Sequence, residues 1–289
     1  MLKKCLLSAV VVLTAYIAVA QTDSGRLLMH QGQVFNVEVT LNNSITQQAM
    51  GQAIDITVDG KAFHNYKVTD TGNDLYTLHH EAQKLSFSFS GMGSKKSFDS
   101  GNKKDISSQW GEPVKKLLAK KYDMVLDSSG TVIKVTPESF PSGLTEEQLV
   151  IVLNMLKDLT SVTEPPLKGS NSFFRVLPGK VTAVGDTWTT QVNTPTETSV
   201  TDYKLESIGD STVTVSFESN GKSSLKAQVM GMESVTSLNN VTNGTILINR
   251  QTGIIKEKNS VMVSTGTAEM MGNTTPVHAK TTIGIRVLP

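Results

Sequence analysis

Cysteine is almost missing from this chain: its 289 residues contain one, Cys5. No disulfide can staple the fold from within, so stability has to come from buried surface. A chain of this length can bury enough for one large or two medium domains. Charge of one sign is missing as well. Lysine and arginine number 27 against 26 acids, a net charge of +1, which lacks the electrostatic footprint of a nucleic-acid partner.

Long hydrophobic runs are equally scarce. The one extended example, Cys5 to Ala20, is uncharged but falls short of the roughly 20 residues that a membrane-spanning helix needs. Lys3 and Lys4 precede it and Ala18-Val19-Ala20 ends it, the pattern of a secretory signal cleaved after Ala20. We therefore expect an exported chain, periplasmic or extracellular, starting at Gln21 and without a transmembrane segment. It would carry no cysteine, which fits a bacterial envelope protein better than a disulfide-dependent animal secreted one.

Catalytic signatures are also lacking. Neither Gly-x-Ser-x-Gly nor His-Glu-x-x-His occurs. Ser223 and Lys226 have the Ser-x-x-Lys spacing, but that chemistry needs the serine at the start of a helix, and here it follows Asn220-Gly221. Gly221-Lys222-Ser223 ends like a phosphate loop without the leading glycine, since position 216 is serine. The expectation is a non-catalytic protein with no cofactor.

What is present is strict alternation. Ile54, Ile56 and Val58; Leu85, Phe87 and Phe89; Val213, Val215 and Phe217; and Ile283, Ile285 and Val287 are each separated by polar residues, the pattern of half-buried antiparallel strands. Turn signals lie between them at Asp59-Gly60, Thr71-Gly72-Asn73, Ser129-Gly130, Gly209-Asp210 and Asn220-Gly221. One stretch recurs. Residues 66–81, YKVTDTGNDLYTLHHE, return at 203–218 as YKLESIGDSTVTVSFE, and DSSGTVIK at 127–134 returns as RQTGIIK at 250–256. Centring each hairpin on its glycine, Gly72 or Gly209, pairs Val68 with Tyr76, Tyr66 with Leu78 and His64 with His80. In the second copy it pairs Leu205 with Val213, Tyr203 with Val215 and Thr201 with Phe217.

Two helices are predicted. One lies near 112–121, with Val114, Leu117 and Leu118 on one face. The other covers 145–159, where Thr145 and Gln148 form a capping box before a segment apolar almost all round, which demands burial. The linker around Pro165-Pro166 then separates a first β-rich repeat, 21–164, from a second, 165–289. The fold class is mainly β: two divergent repeats of curved, half-barrel-like antiparallel sheet with a buried connecting helix.

The run LPGKVTAVGDTW, with Pro178, Val184, Gly185, Asp186 and Trp188, resembles an uncharacterised family of secreted bacterial proteins, a domain family of unknown function. The resemblance implies an exported β-rich protein with no assigned activity. In architecture, a curved sheet over an apolar helix also looks like bacterial lipoprotein-carrier half-barrels.

Together these patterns lead us to expect an apolar or amphipathic, lipid-like ligand held by Tyr66, Leu78, Tyr203, Val215, Met230 and Met232. Methionine is a flexible gap-filler in such sites. The alternative is a structural or protein-interaction module of the envelope, without a ligand cavity. His64 and His80 form a candidate metal pair, although a stable site needs a third ligand that the strand pattern does not supply. Lys95, Lys96, Lys103, Lys104, Lys115, Lys116, Lys120 and Lys121, against three acids between them, form a basic segment that reads as a solvated face.

Overall fold

The computed structural model describes residues 26–49, 52–91, 93–140, 156–179, 183–229 and 232–288. The expected signal segment, residues 145–155 of the expected helix, and Met230 lie outside the described residues, as does the side chain of Met232.

Twelve strands form one antiparallel sheet that does not close: β1 (Val34–Ala49), β2 (Gln52–Gly72), β3 (Leu75–Gly91), β4 (Ser94–Asp99), β5 (Lys121–Asp127), β6 (Val132–Thr136), β7 (Thr187–Asn193), β8 (Glu197–Ile208), β9 (Thr212–Val229), β10 (Met232–Asn249), β11 (Ile255–Met270) and β12 (Asn273–Leu288). Their order is β6-β5-β3-β2-β1-β12-β11-β10-β9-β8-β7, with β4 continuing the edge of β3 beside β5. Each half is a meander of neighbouring hairpins, and the halves meet where β1 pairs β12 from Asn36↔Leu288 to Gln47↔Val277. The sheet is therefore mainly β and continuous across the expected boundary near Pro165.

Alternation sends one face of every strand into a shared core. On β1, Phe35, Val37, Val39 and Leu41 are buried; Val58, Ala62, Tyr66 and Val68 follow on β2, and Val213, Val215 and Phe217 on β9. Each fully buried aliphatic or aromatic side chain contributes about 1.5–3 kcal/mol. The core face of the first half is covered by α1 (Lys103–Ile106), α2 (Gly111–Leu118) and α3 (Lys157–Thr160), the last running into a 3-10 turn at Ser161–Thr163. Pro113, Val114 and Leu117 of α2 are buried, and the chain leaves the helix to enter β5 at Lys121. Leu156 and Leu159 are fully buried above Gly60, where an added Cβ would lie 2.9 Å from Leu159 and 3.1 Å from Leu156.

The hairpin registers differ from those obtained by centring on glycine. The first turn is Asn73-Asp74, both with positive φ (52° and 60°), so Gly72 pairs Leu75. With irregularities at Phe63/His64 and Val68/Asp70, the pairs become Val68↔Leu78, Tyr66↔His80 and His64↔Ala82. In the second hairpin they become Leu205↔Val215, Tyr203↔Phe217 and Thr201↔Ser219. Both shift by two residues, which preserves the inward face because the side-chain period is two. Two turn expectations also fail: Asp59-Gly60 lies inside β2 and Asn220-Gly221 inside β9. These glycines permit close approach instead, since a Cβ at Gly221 would lie 2.7 Å from the Thr198 carbonyl oxygen.

The turns β5–β6 and β10–β11 share one construction. Asp127 Oδ1 accepts the amides of Ser129 and Thr131, and Asn249 Oδ1 those of Gln251 and Thr252. Each turn then places a glycine, Gly130 or Gly253, at positive φ (83° and 69°). The segment entering β1 bridges them: Leu27 donates its amide to Ser128 (2.7 Å) and Leu28 donates to Thr252 (2.9 Å). Leu27 is 3% exposed, and a Cβ at either glycine would collide with residues 26–27 or their neighbours. The sheet thus curls far enough for one short segment to touch both turns.

Gly253→Ala should lower stability by about 1–3 kcal/mol, because it combines a left-handed backbone with a Cβ only 2.5 Å from the Arg26 carbonyl oxygen. Gly209→Ala, whose Cβ meets nothing nearer than 3.5 Å, is the control. Urea unfolding of both variants would check the difference.

Candidate functional site

One cross-strand row organises the inner face. Through successive register pairs it runs Trp188, Tyr203, Phe217, Gly244, Ser260, Ile283, Leu41, Gly60, Phe87 and Phe98. Aromatic clusters stand at both ends. Trp188 stacks on Tyr203 (5.2 Å between centroids, 4° between planes), and Tyr203 meets Phe217 at 5.8 Å. At the other end Phe87 stacks on Phe98 at 5.4 Å and meets Trp110 edge-on at 5.9 Å. Each cluster adjoins a glycine. The Phe217 ring leans over Gly244, where a Cβ would sit 2.5 Å from it, and the Lys258 ammonium lies 5.0 Å above the same ring.

Trp188 is placed by the Val184-Gly185-Asp186-x-Trp188 run. Gly185 takes φ +95° and donates its amide to Leu205, the Asp186 carboxylate accepts the Ala183 amide, and the Asp186 carbonyl accepts the Leu205 amide. The turn so built starts β7 in register with β8.

Below this row, toward the turns bridged by Leu27, the inner face is buried and mainly apolar, with His64 and His80 set within it. Above it the two halves differ. On β8–β12 the next rows carry Thr201, Ser219, Thr242, Met262 and Thr281, then Ser199, Gly221, Asn240, Ser264 and Ala279. On β1–β3 the same rows continue as Asn43, Val58 and Phe89, then Ile45, Ile56 and Gly91. Most of these residues are half-buried, while Val58, Gly91, Ser264 and Thr281 are buried. One flank of the upper inner face is thus mostly small and hydrogen-bonding, with Met262 the exception, and the other is aliphatic and aromatic apart from Asn43 and Gly91.

The sequence-predicted residues divide accordingly. Tyr66, Leu78 and Val215 are packed in the lower core, with exposures of 2%, 0% and 0%, whereas Tyr203 belongs to the half-buried aromatic row. His64 and His80 do meet, His64 Nδ1 lying 3.3 Å from His80 Nε2, although across a diagonal. One ring N–H donates to the bare nitrogen of the other. Their remaining nitrogens, His64 Nε2 and His80 Nδ1, are buried without a hydrogen-bond partner. Tyr66 packs 4.7 Å from His80 and Tyr122 stacks on it at 4.4 Å. Among the described residues no group of three His, Cys, Asp or Glu converges on the pair. Ser223 accepts from Asn240 Nδ2 (3.0 Å) inside β9, and three residues on in a strand Lys226 points to the other face, so the pair does not form a nucleophile and base.

Two depressions among the described residues, of about 800 and 500 Å³, are open furrows across β7–β12. By alternation, the banks of the larger are outward side chains such as Asp202, Lys204, Glu218, Asn243 and Asn259, and the inner row contributes its backbone as the floor. The central row of this outer face carries Asp202, Glu218, Asn243, Val261, Thr282, Asn42 and Asp59, polar but for Val261 where a membrane barrel would carry an apolar band.

Burial lowers the pKa of His64 to about 4 and that of His80 to about 3, below the 6.5 of free imidazole, with His64 adding to the depression of His80. A base depressed in the folded state stabilises fully above its unfolded pKa and loses that contribution as pH falls. Between pH 6.5 and 4 the wild type should therefore lose stability faster than His64→Leu/His80→Phe, each histidine steepening the fall by about 1.4 kcal/mol per pH unit. Urea titrations across this range would read the difference, and parallel curves would refute the buried neutral pair.

No curated protein matches the chain. Among solved structures it is similar to lipovitellin, described for its lipid–protein interactions, at 11% identity and TM-score 0.46; the match covers 91% of this chain and 26% of that one. It is also similar to an outer-membrane channel from Pseudomonas putida F1, at 8% identity and TM-score 0.23, covering 91% of this chain and 98% of that one. The translocator domain of the autotransporter NalP from Neisseria meningitidis matches at 5% identity and TM-score 0.22, covering 92% and 91%. The chain thus spans about a quarter of the lipovitellin chain, and these values carry no argument about function. A family model matches residues 73–255, from the β2–β3 turn to the first residue of β11. The chain belongs to this family, a family of unknown function (DUF6263).

Proposed function

We propose that this protein is a non-catalytic, exported binding protein that holds an amphipathic, lipid-like ligand against the upper inner face of its sheet. The carrying observation is the division of that face into two chemistries. Ile45, Ile56 and Phe89 offer an apolar flank, while Thr201, Ser219, Thr242 and Asn240 offer hydroxyls and an amide on the other strands of the same rows. Small side chains leave volume that Leu or Phe would fill, and half-burial keeps the surface within reach of a ligand. The buried amide oxygen of Asn240 has no hydrogen-bond partner, which gives the polar flank a place for a ligand hydroxyl or amide.

The polar outer face supports a water-borne holder over a membrane-embedded one. Export rests on the basic, apolar and small-residue pattern ending at Ala20. The site lies one or two rows above Tyr203, so Tyr203 is its lower border, whereas Tyr66, Leu78 and Val215 form the core beneath it.

Native mass spectrometry of residues 21–289 from an exporting host should show extra mass that solvent extraction removes. Thr242→Phe, which fills the small-residue flank, should abolish that mass while leaving the β-sheet circular dichroism intact. A clean mass in both proteins, even after incubation with phospholipid or fatty-acid vesicles, would overturn the reading.

A further inference from the structure

The edge strands of this open sheet are protected unequally. At β6, the segment 169–171 lies alongside: Gly169 donates to the Val132 carbonyl (2.8 Å), Val132 donates to Ser170 (2.9 Å) and Thr131 bridges Asn171. At β7, no described residue pairs with the outer edge. The strand reads TWTTQVN, with no charge, no proline and no irregularity in its ladder to β8. These are the devices by which edge strands normally discourage pairing, and β7 has none of them.

The ladder identifies the outward groups. Leu205 donates to Asp186 and Thr194 donates to Glu197, so the even-numbered residues bond to β8. The N–H and C=O of Thr187, Thr189, Gln191 and Asn193 then face away from the sheet.

We propose that this edge pairs with the same edge of a second copy, antiparallel about a two-fold axis at Thr190. That axis sets Thr189 against Gln191 of the second copy and Thr187 against Asn193 of the second copy, so every outward amide and carbonyl of β7 finds a partner. Between them, Thr190 meets its own equivalent and Trp188 meets Val192 of the second copy, as close non-hydrogen-bonded pairs. Val192 is 46% exposed and gains an aromatic neighbour. No like charges oppose one another, because the strand has none. A seven-residue ladder buries less than the roughly 800 Å² per partner of a standard interface, so the dimer forms reversibly with concentration.

A chain beginning at Gln21 has no cysteine, which gives a clean cross-linking test. Thr190→Cys should form a disulfide-linked dimer under mild oxidation, since opposed non-hydrogen-bonded residues lie about 4.5 Å apart at Cα. Thr187→Cys should not, because the two copies of that residue would stand roughly 20 Å apart. In sedimentation equilibrium the wild-type mass should climb toward twice the monomer with concentration. Gln191→Pro, which removes an outward amide and leaves the bonds to β8 intact, should abolish the rise. A chain that stays monomeric at every concentration, equal cross-linking at both positions, or association unchanged by Gln191→Pro would each overturn the proposal.

Discussion

The ladder between β1 and β12 is the constraint on which the rest of the structure depends. Twelve register pairs join the first described strand to the last, at the centre of the sheet. Without it there would be two separate meanders, each exposing one edge of a long central strand. With it, the free edges come from inside the sequence, at β4, β6 and β7. The burial of Val37 and Val39 between Val287, Ile285 and the β2 residues follows directly from this closure. Contacts of such sequence separation are entropically expensive to make, and the hydrophobic inner face on both sides offsets that cost.

Curvature adds a second level of control. Among the described residues the sheet has no closing strand pair, yet Leu27 and Leu28 touch both turn β5–β6 and turn β10–β11. Tyr76 reinforces the bridge by donating its hydroxyl to the Leu27 carbonyl (2.8 Å). The lower end is fixed by these contacts and by the aromatic packing of Phe35, Tyr66 and Phe174. Above the Trp188–Phe98 row, bulky side chains give way on five strands to Thr, Ser, Asn, Gly and Ala, with Met262 the exception. The molecule thus packs its base tightly and lines part of its upper wall with small residues.

Much of this was legible in the sequence, because alternation is a local signal. Ile54, Ile56 and Val58 announce β2, and Val213, Val215 and Phe217 announce β9, since their faces are set by period two alone. Turn position was less legible: Asn73-Asp74, two non-glycine residues at positive φ, form the first turn, and the adjacent Gly72 drew attention away from them. Gly60 and Gly221 carried the opposite ambiguity. A glycine after Asp or Asn reads as a turn, but here its missing side chain admits Leu159 to the sheet or lets a carbonyl approach. The β1–β12 pairing had no local sign. The small-residue flank was hidden for a related reason, because Ser, Thr and Asn on a strand read as solvent-facing until cross-strand register places them on the inner face with Ile45 and Ile56.

The aromatic row also distributes the two tryptophans. Trp110 rests edge-on against Phe87 in the first half, and Trp188 lies flat on Tyr203 at the far end of the second. Each indole sits in a different half and a different ring geometry, one beside the helices and one on the edge strand. The protein consequently carries two intrinsic fluorophores in distinct surroundings, so that replacing either one by phenylalanine leaves an emission that reports only the helix-covered wall or only the edge.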